Sequence, residues 1–335
     1  MRAEVGTAEL VIGRTSTADV RVADPCVSSR HCSVKRVDTH VVVQDLGSTN
    51  GTFVAGIRIT EPTPLPVGAS FQVGDSVFLH ECRDREELQQ LEQIRDLEKA
   101  AQYVASLLPQ PIARDGWAAQ WCYQPSALLG GDSFGYHELD PQRVAVYVLD
   151  VSGHGVAAAL HSVSVTQMLS KETLRDAVFA EPASVLDALS RLLPAEQHDG
   201  RYFTIWYGVL DRRRRTLSYA SAGHPPALCF TPGGAPHQLA TRKPPIGLWP
   251  DIVYEAGEVE FGPGSQLFVF TDGCYEDARP DGTQGCYAEF AARLVGLVGE
   301  GRSTPRDVID SIRADTGVTE FGDDVCLLRL TSTEG

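Results

Sequence analysis

The sequence lacks the features that mark membrane-spanning and secreted proteins. It contains no apolar run of about 18 residues, the length that a helix needs to cross a bilayer. Its first residues, Met1-Arg-Ala-Glu4, do not begin a basic stretch followed by an apolar core, as a secretory signal does. These absences predict a cytoplasmic protein without a membrane partner.

The eight cysteines also lack the spacing of a zinc site or a disulfide framework. None of them forms a Cys-x-x-Cys pair, and most lie among apolar residues. Because free cysteine behaves as a small apolar side chain, we predict reduced thiols in the protein core. The positions are Cys26, Cys32, Cys82, Cys122, Cys229, Cys274, Cys286 and Cys326.

Positive charge is scarce over most of the chain. The formal net charge is −15, and residues 1–82 contribute only −2, from seven Lys and Arg against nine Asp and Glu. The other −13 therefore lies in residues 83–335. An acidic surface repels phosphate backbones and anionic lipids, which argues against nucleic acid or a membrane as a main partner. It favours divalent cations.

The 335 residues are enough for two domains. Residues 1–82 show short apolar runs separated by turn-forming residues, with almost no helical periodicity, which predicts an all-β sandwich. The predicted strands are Leu10–Ile12, Val20–Val22, Cys32–Val37, His40–Gln44, Thr52–Val54, Ser70–Val73 and Ser76–His80.

Residues 83–110 have a different character and predict a helical linker. Apolar side chains return every three or four residues from Asp84 to Leu108, and Pro109 and Pro111 follow. One interpretation is a helix packed on its own domain. The other is a self-pairing helix that forms a homodimer or acts as a switch.

Residues 111–335 alternate between strands and helices, which indicates a mixed α and β domain. The predicted strands are Arg143–Leu149, Thr204–Leu210, Thr216–Ser221 and Gln266–Phe270, and the predicted helices are Val156–Thr173, Pro182–Leu193 and one near Tyr287–Val298.

Acidic motifs stand at the ends of the most apolar runs. One strand leads into Asp150-Val-Ser-Gly-His-Gly155 and another into Thr271-Asp-Gly273. Gly130-Gly-Asp132 precedes the first of these strands, and Gly322-Asp-Asp324 precedes the final apolar stretch Val325–Leu330. Converging carboxylates need cations to offset their repulsion, and oxygen ligands select Mg²⁺ or Mn²⁺. Two such ions about 3.5–4 Å apart can activate water for attack on a phosphoryl group.

These motifs belong to an ordered series: Leu107-Leu-Pro109, Pro125 with Gly130-Gly-Asp132, Asp150-Val-Ser-Gly-His-Gly155 with Ala157-Ala-Ala-Leu160, Phe203-Thr204 with Tyr207-Gly-Val-Leu-Asp211, Ala222-Gly-His-Pro-Pro226, Pro245-Ile-Gly-Leu248, Thr271-Asp-Gly273 with Glu276, and Asp323-Asp-Val325. The series resembles the SpoIIE-like branch of the PPM metal-dependent protein phosphatases, which includes RsbU. This resemblance implies an α-β-β-α sandwich for residues 111–335.

The resemblance also implies hydrolysis of phosphoserine or phosphothreonine on a signalling protein, with water activated by two Mn²⁺ or Mg²⁺ ions. Asp150 would bridge both ions, and Asp132, Asp272 and Asp323 would complete the catalytic set. The implied metal ligands are Asp132, Asp150, Val151 through its backbone carbonyl, Asp272, Asp323 and Asp324.

The chain departs from the family pattern at two places. Residues 133–135 replace an aromatic pair and a second Asp after Asp132, and Cys326 stands where Thr is common. Neither departure removes an implied metal ligand. His154 and His224 are either structural residues or general acids, because imidazole titrates near neutral pH.

The N-terminal domain carries its own series: Ile12-Gly-Arg14, Val27-Ser-Ser-Arg-His31, Asp45-Leu-Gly-Ser-Thr-Asn-Gly-Thr52 and Val73-Gly-Asp75. It resembles a forkhead-associated (FHA) domain, a β-sandwich that binds phosphothreonine peptides with loops at one end. Phosphate recognition needs a guanidinium and short polar donors on fixed loops. The expected binding residues are Arg14, Ser28, Arg30, Thr49 and Asn50. His31 would shape the loop, and Ser29 replaces a frequent Arg.

The sequence leaves three functions open. The first is a phosphatase that acts on a phosphoprotein, such as an anti-sigma-factor antagonist, and is recruited or switched by a phosphothreonine-bearing partner such as a Ser/Thr kinase. The second is a phosphatase-like scaffold that binds phosphoproteins without catalysis. The third, another metal hydrolase such as a nucleotide phosphodiesterase, has less support because its usual motifs are missing.

Overall fold

The computed structural model describes residues 3–82, 85–194, 196, 200–249, 251–276, 283–317 and 320–334. The chain divides into two compact units, Met1–Gln93 and Ile94–Gly335. The division falls within residues 83–110, the segment that the sequence predicts as a linker between domains 1–82 and 111–335.

The N-terminal unit is a sandwich of two β-sheets, as its turn-rich sequence predicts. Its described strands are β1 (Leu10–Gly13), β2 (Val20–Arg21), β3 (Cys32–Val37), β4 (His40–Asp45), β5 (Thr52–Val54), β6 (Ile57–Arg58), β7 (Thr63–Leu65), β8 (Ser70–Val73) and β9 (Ser76–Leu79). The sheets have the orders β2-β1-β3-β4-β7 and β6-β5-β8-β9. Side chains from both sheets, among them Val34, Val43 and Phe71, form one apolar core.

Two short strands of this unit, β6 and β7, were not predicted from the sequence. Both residues of β6 are exposed, so the strand shows no apolar alternation. Strand β7 contains Pro64, and proline within a run argues against a strand unless that strand lies at a sheet edge. β7 is the last strand of its sheet and pairs with β4, which is where proline is tolerated.

A long helix, α1 (Arg85–Leu107), follows the first sandwich and agrees with the prediction of 84–108 within one residue at each end. Part of its apolar side faces solvent, since Ile94 is 47% exposed. Within the described parts of the chain, no helix combines the length and the apolarity needed to cross a membrane.

The C-terminal unit contains two further sheets with helices around them. Its described strands are β10 (Ile112–Arg114), β11 (Trp117–Gln124), β12 (Ser133–Asp140), β13 (Arg143–Val151), β14 (Phe203–Asp211), β15 (Thr216–Ala222), β16 (Ala227–Phe230), β17 (His237–Leu239), β18 (Gly257–Glu260), β19 (Gln266–Phe270) and β20 (Val325–Ser332). The helices are α2 (Val156–Ser170), α3 (Pro182–Leu192), α4 (Tyr287–Gly299) and α5 (Pro305–Thr316). The five-stranded sheet has the order β12-β13-β14-β15-β18, and the six-stranded sheet has the order β10-β11-β20-β19-β16-β17.

The layers of this unit are defined by three apolar clusters. Trp206 and Leu328 are buried between the two sheets. Leu169 of α2 belongs to the cluster that joins α2 and α3 to the five-stranded sheet, whereas Phe290 and Ile309 join α4 and α5 to the six-stranded sheet. The unit is therefore the α-β-β-α sandwich that its motifs imply.

Strand β13 shows how the residue pattern sets these layers. Val144, Val146 and Val148 enter the core between the sheets, whereas Tyr147 enters the core beneath α2 and α3. Successive side chains on a strand point to opposite faces. The next even-numbered residue, Asp150, therefore continues the face that looks toward the six-stranded sheet.

None of the eight cysteines, all of which lie within the described residues, forms a disulfide, but they are not all core residues. The buried ones are Cys32, Cys229, Cys274 and Cys326, whereas the exposed ones are Cys26, Cys82 and Cys286. Apolar neighbours in the sequence therefore predicted burial for only part of the set.

Candidate functional site

The acidic motifs meet at one end of the C-terminal sandwich. Asp132 immediately precedes β12, and Asp150 lies near the end of the neighbouring strand β13. Because Ser133 pairs with Leu149, Asp132 stands across the strand pair from Asp150. From the other sheet, Asp272 follows β19 and Asp323 precedes β20.

Burial and neighbouring charges raise the pKa of three of these carboxyl groups. Burial raises the pKa of Asp132 well above its ordinary value, and the neighbouring charge of Asp150 raises it further. Burial, followed by the charges of Asp272 and Asp323, raises the pKa of Asp150 to about 7. Burial and the charge of Glu276 also raise the pKa of Asp272. Such repulsion in a buried setting is what a bound cation would offset.

The carboxylates are neighbours without forming a closed ligand cage. Across the described ranges, no group of three or more His, Cys, Asp or Glu side chains is arranged so that it could hold a metal ion as it stands. Charges interact over several ångströms, whereas ligand oxygens approach Mg²⁺ or Ca²⁺ to about 2.0–2.6 Å. The charge effects on these pKa values therefore mark the location, and the side chains would have to turn inward to coordinate ions.

The chemistry and shape of this location fit a hard cation. Its acidic side chains offer only oxygen, which suits Mg²⁺ or Mn²⁺. A Cβ atom on Gly131 would lie 2.7 Å from the carbonyl oxygen of Val151, so the bare glycine keeps this oxygen uncovered. Thr204 pairs with Asp150 across β13 and β14, and its buried hydroxyl has no hydrogen-bond partner among the residues described.

Thr271 connects Asp132 to strand β20. Its hydroxyl donates to Asp132 Oδ2 at 2.7 Å, and the Thr271 hydroxyl oxygen accepts the backbone N–H of Cys326 at 3.0 Å. A hydroxyl has one proton, and the accepted bond leaves that proton directed at the carboxylate. Thr271 stands in the motif Thr271-Asp-Gly273, but the motif alone does not indicate this role.

Asp324 lies in a different setting from the other acidic residues. Its buried carboxylate accepts hydrogen bonds from the backbone N–H groups of Ser126 and Gly131, each at 2.7 Å. Ser126 was not predicted as part of the site, because no local pattern indicates a bond to a residue 198 positions away. The assignment of Asp324 as a metal ligand stays a prediction, although its oxygens already have partners.

The two histidines near the motifs differ in environment. His154 is exposed just before α2. His224 is buried, its Nδ1 lies 3.0 Å from the carbonyl oxygen of Pro225, and burial lowers its pKa to about 4. An imidazole with that pKa carries no extra proton near neutral pH, so His224 suits a structural role better than that of a general acid.

The N-terminal unit gathers the residues expected to bind phosphothreonine. The backbone N–H of Arg14 donates to the carbonyl of Ser28 at 3.0 Å, and Arg14 Nε donates to the carbonyl of Val27 at 3.1 Å. Ser28 Oγ accepts the backbone N–H of Thr49 at 3.1 Å. The guanidinium, the hydroxyl and the neighbouring loop are therefore held together.

Two further residues fix this arrangement. Asn50 Nδ2 donates to the carbonyl of Cys26 at 2.8 Å. His31 is fully buried and accepts the Ser28 N–H at Nδ1, which leaves Nε2 to donate to the carbonyl of Gly51. Arg30 is exposed and makes no ion pair or side-chain hydrogen bond with the described residues. Hydrogen bonds therefore link three of the five expected binding residues directly, namely Arg14, Ser28 and Thr49.

Family models match both units. A model described as the FHA domain matches residues 10–74. A model described as Stage II sporulation protein E (SpoIIE) matches residues 140–332, which is more than half of the chain. The chain belongs to the SpoIIE family. Its N-terminal unit is an FHA domain.

Known proteins resemble the SpoIIE part of the chain. The phosphoserine phosphatase RsbP of Bacillus subtilis is 30% identical over 197 residues, which cover 58% of this chain and 47% of RsbP. The SiaA-PP2C domain of Pseudomonas aeruginosa has a TM-score of 0.59 and 21% identity, covering 72% of this chain and 98% of that one. RsbX in complex with magnesium has a TM-score of 0.50 and 16% identity, covering 67% of this chain and 96% of that one.

The similarity to the SiaA-PP2C and RsbX structures shows the fold of the C-terminal unit. This SpoIIE-family chain spans half or less of the length of curated relatives such as RsbP and the FHA domain-containing protein FhaB of Mycolicibacterium smegmatis, at 47% and 50%.

Proposed function

We propose that this chain is a metal-dependent protein phosphatase that removes phosphate from serine or threonine. The observation that carries the proposal is the meeting of acidic motifs from both sheets at one end of the sandwich, where burial and neighbouring carboxylates raise the pKa of Asp132 and Asp150. PPM-family phosphatases are metal-dependent, and the chain has the motif series of that family in order.

The metal ligands in this proposal are Asp132, Asp150, Asp272, Asp323 and the carbonyl oxygen of Val151. Two Mn²⁺ or Mg²⁺ ions bound there would polarise the phosphoryl group and lower the pKa of water for in-line displacement. Thr271 would hold Asp132 in position through its hydrogen bond. The unpaired hydroxyl of Thr204 would be available to orient Asp150 or a substrate oxygen.

The FHA domain would recruit this activity to a phosphothreonine-bearing partner, such as a Ser/Thr kinase. FHA domains bind phosphothreonine, and the loops bring Arg14, Ser28 and Thr49 to one place. A guanidinium with hydroxyl and backbone donors is the chemistry that a phosphate requires. Arg30, at the exposed rim, would add long-range attraction.

The proposed substrate class is a phosphoserine on a signalling protein, with an anti-sigma-factor antagonist as the first candidate. Support comes from RsbP, which is described as a phosphoserine phosphatase and is 30% identical over 197 residues.

The test is phosphate release from phosphoserine and phosphothreonine peptides with Mn²⁺, comparing the full chain with its Asp150→Asn variant. We expect the substitution to lower the rate by about 100-fold or more, because even residues that support metal ligands contribute about 10–100-fold. An Asp310→Asn variant is the matched control, since Asp310 is exposed on α5.

A different result would favour the second candidate, a phosphoprotein-binding scaffold. The observation on its side is that the described acidic residues form no closed ligand group. Folded wild-type protein that releases no phosphate with either Mn²⁺ or Mg²⁺, yet binds the same peptides, would establish the scaffold and reject the phosphatase.

A further inference from the structure

Asp324 has a hydrogen-bond pattern that uses both of its carboxylate oxygens. Oδ1 accepts the backbone N–H of Ser126 at 2.7 Å and the hydroxyl of Ser126 at 2.9 Å. Oδ2 accepts the backbone N–H of Gly131 at 2.7 Å, with the N–H of Asp132 farther away at 3.5 Å. The residue is only 6% exposed.

This pattern leaves little capacity for a metal ion. Each carboxylate oxygen can accept about two hydrogen bonds in the plane of the group. Both positions on Oδ1 are taken by Ser126, and Oδ2 faces Gly131. Coordination of an ion through Oδ2 would displace the buried N–H of Gly131, and a buried donor left without a partner destabilises the structure around it.

The bonds of Asp324 join two segments that carry other acidic residues. Its side chain contacts the loop 126–132, which ends at Asp132, while its own backbone N–H donates to Asp323 Oδ1 at 2.7 Å. Gly130 has no room for a side chain here, because a Cβ atom would overlap the Asp324 carboxylate. The carboxylate is therefore packed against the backbone of this loop.

We propose that Asp324 is a positioning residue that clamps the Asp132 loop to Asp323, rather than a metal ligand. The clamp fixes the distance between a carboxylate of the five-stranded sheet and one of the six-stranded sheet, and thereby sets the affinity for Mn²⁺ or Mg²⁺. The inference rests on the proposed metal-dependent function, because it concerns the same site.

The first measurement is Mn²⁺ binding to the full wild-type chain by calorimetry, which yields affinity and stoichiometry without depending on activity. Wild-type protein that binds no Mn²⁺ would reject the proposed function and the clamp with it. Once binding is established, variants test the clamp alone.

Asp324→Asn and Ser126→Ala remove the two sides of the clamp. Asn places an NH₂ group against a donor, and Ala removes the hydroxyl that Oδ1 accepts. We expect each variant to bind the same number of ions as the wild type, with affinity reduced by about 10-fold to 100-fold for Asp324→Asn and less for Ser126→Ala. The double variant should match Asp324→Asn within about twofold, because both changes break one clamp.

The ligand interpretation predicts different results. Under it, Asp324→Asn would lower the number of bound ions, as Asp323→Asn should, and Ser126→Ala would leave Mn²⁺ affinity unchanged. Either outcome overturns the clamp. Ser126→Ala keeps the test valid if Asp324→Asn does not fold, and Ser164→Ala is its control, because Ser164 is an exposed serine on α2.

Discussion

At the scale of single residues, Asp150 lies in an environment that disfavours the ionised form of its carboxyl group. Its pKa rises from an ordinary 3.8 to about 7, first through burial and then through the charge of Asp272. A raised pKa means that the folded state holds the proton more tightly than the unfolded chain does. The stability that this proton contributes is complete below about pH 4 and is lost as the pH rises through about 7.

We expect the metal-free protein to lose stability between about pH 4 and about pH 7 partly because of Asp150. An Asp150→Asn variant has no proton to release in this pH range. Its free energy of unfolding should therefore fall by less than that of the wild type, by on the order of 2–4 kcal/mol. Mn²⁺ should raise the melting temperature more at about pH 8 than at about pH 5, because protons compete for its ligands. Thermal unfolding in EDTA and in Mn²⁺ measures both effects. Identical pH profiles for the two proteins would contradict this role of Asp150.

The phosphothreonine site gives a second prediction at this scale. Arg14→Ala should weaken binding of a phosphothreonine peptide by roughly 10–100-fold, since a hydrogen bond to a charged group contributes about 1.5–3 kcal/mol. Fluorescence anisotropy with phosphorylated and unphosphorylated peptides measures the effect. Arg36→Ala is the control, because Arg36 is an exposed arginine on β3. A similar loss in both variants would show that general charge, rather than the Arg14 site, attracts the peptide.

The sequence indicated these residues because each stands in a short motif. Arg14, Ser28 and Asp150 could be named from their neighbours alone. The hydrogen bonds from Ser126 to Asp324 and from Thr271 to Asp132 could not, because each joins segments more than 130 positions apart in the chain. Such bonds depend on how the two sheets stack, which no local pattern encodes.

At the scale of elements, strands buried on both faces were the most predictable. Strand β19 (Gln266–Phe270) has the predicted bounds, and β13 extends its prediction by only two residues. Strands β11 and β12 were missed, because β11 has mostly half-buried side chains and β12 mixes glycine and charged residues with aromatic ones. Without a continuous apolar run or a clean alternation, neither strand had a sequence signal.

Helix α1 gives a prediction at this scale. Ile94 and Ala101 are seven residues apart, as are Leu97 and Val104, which is the spacing of a two-helix seam. We expect the full chain to form a dimer through this seam. A variant with Leu97→Glu and Val104→Glu should sediment as a monomer, because like charges would face each other.

The control for the helix replaces Gln89 and Gln102 with Glu, since both side chains are exposed on α1 and lie away from the seam. This variant adds the same charge outside the seam and should stay dimeric. Analytical ultracentrifugation over a range of concentrations compares the proteins. A monomeric wild type would leave α1 as a linker without a pairing role.

At the scale of the whole molecule, the two units have separate apolar cores. The FHA core lies within residues 12–73, whereas the three clusters of the SpoIIE unit lie within residues 108–330. Separate cores allow separate unfolding transitions, because each unit buries its own apolar surface.

We expect calorimetry to show two transitions that respond to different ligands. A phosphothreonine peptide should raise the temperature of one transition and Mn²⁺ that of the other, by mass action on the unit that binds each ligand. Independent shifts would support recruitment by the FHA domain. If the peptide instead changed Mn²⁺ affinity, reciprocal coupling between the sites would identify a switch and reject simple recruitment.

The acidic residues at the end of the sandwich come in pairs, with Asp132 and Asp150 on one sheet and Asp272 and Asp323 beside strands of the other. Ions bound among them would cross-link the two sheets at this end. In a cell short of manganese or magnesium, the two sheets would then separate more often at this end, and the opened chain would be exposed to proteases. Metal supply would set the lifetime of the protein as well as its turnover.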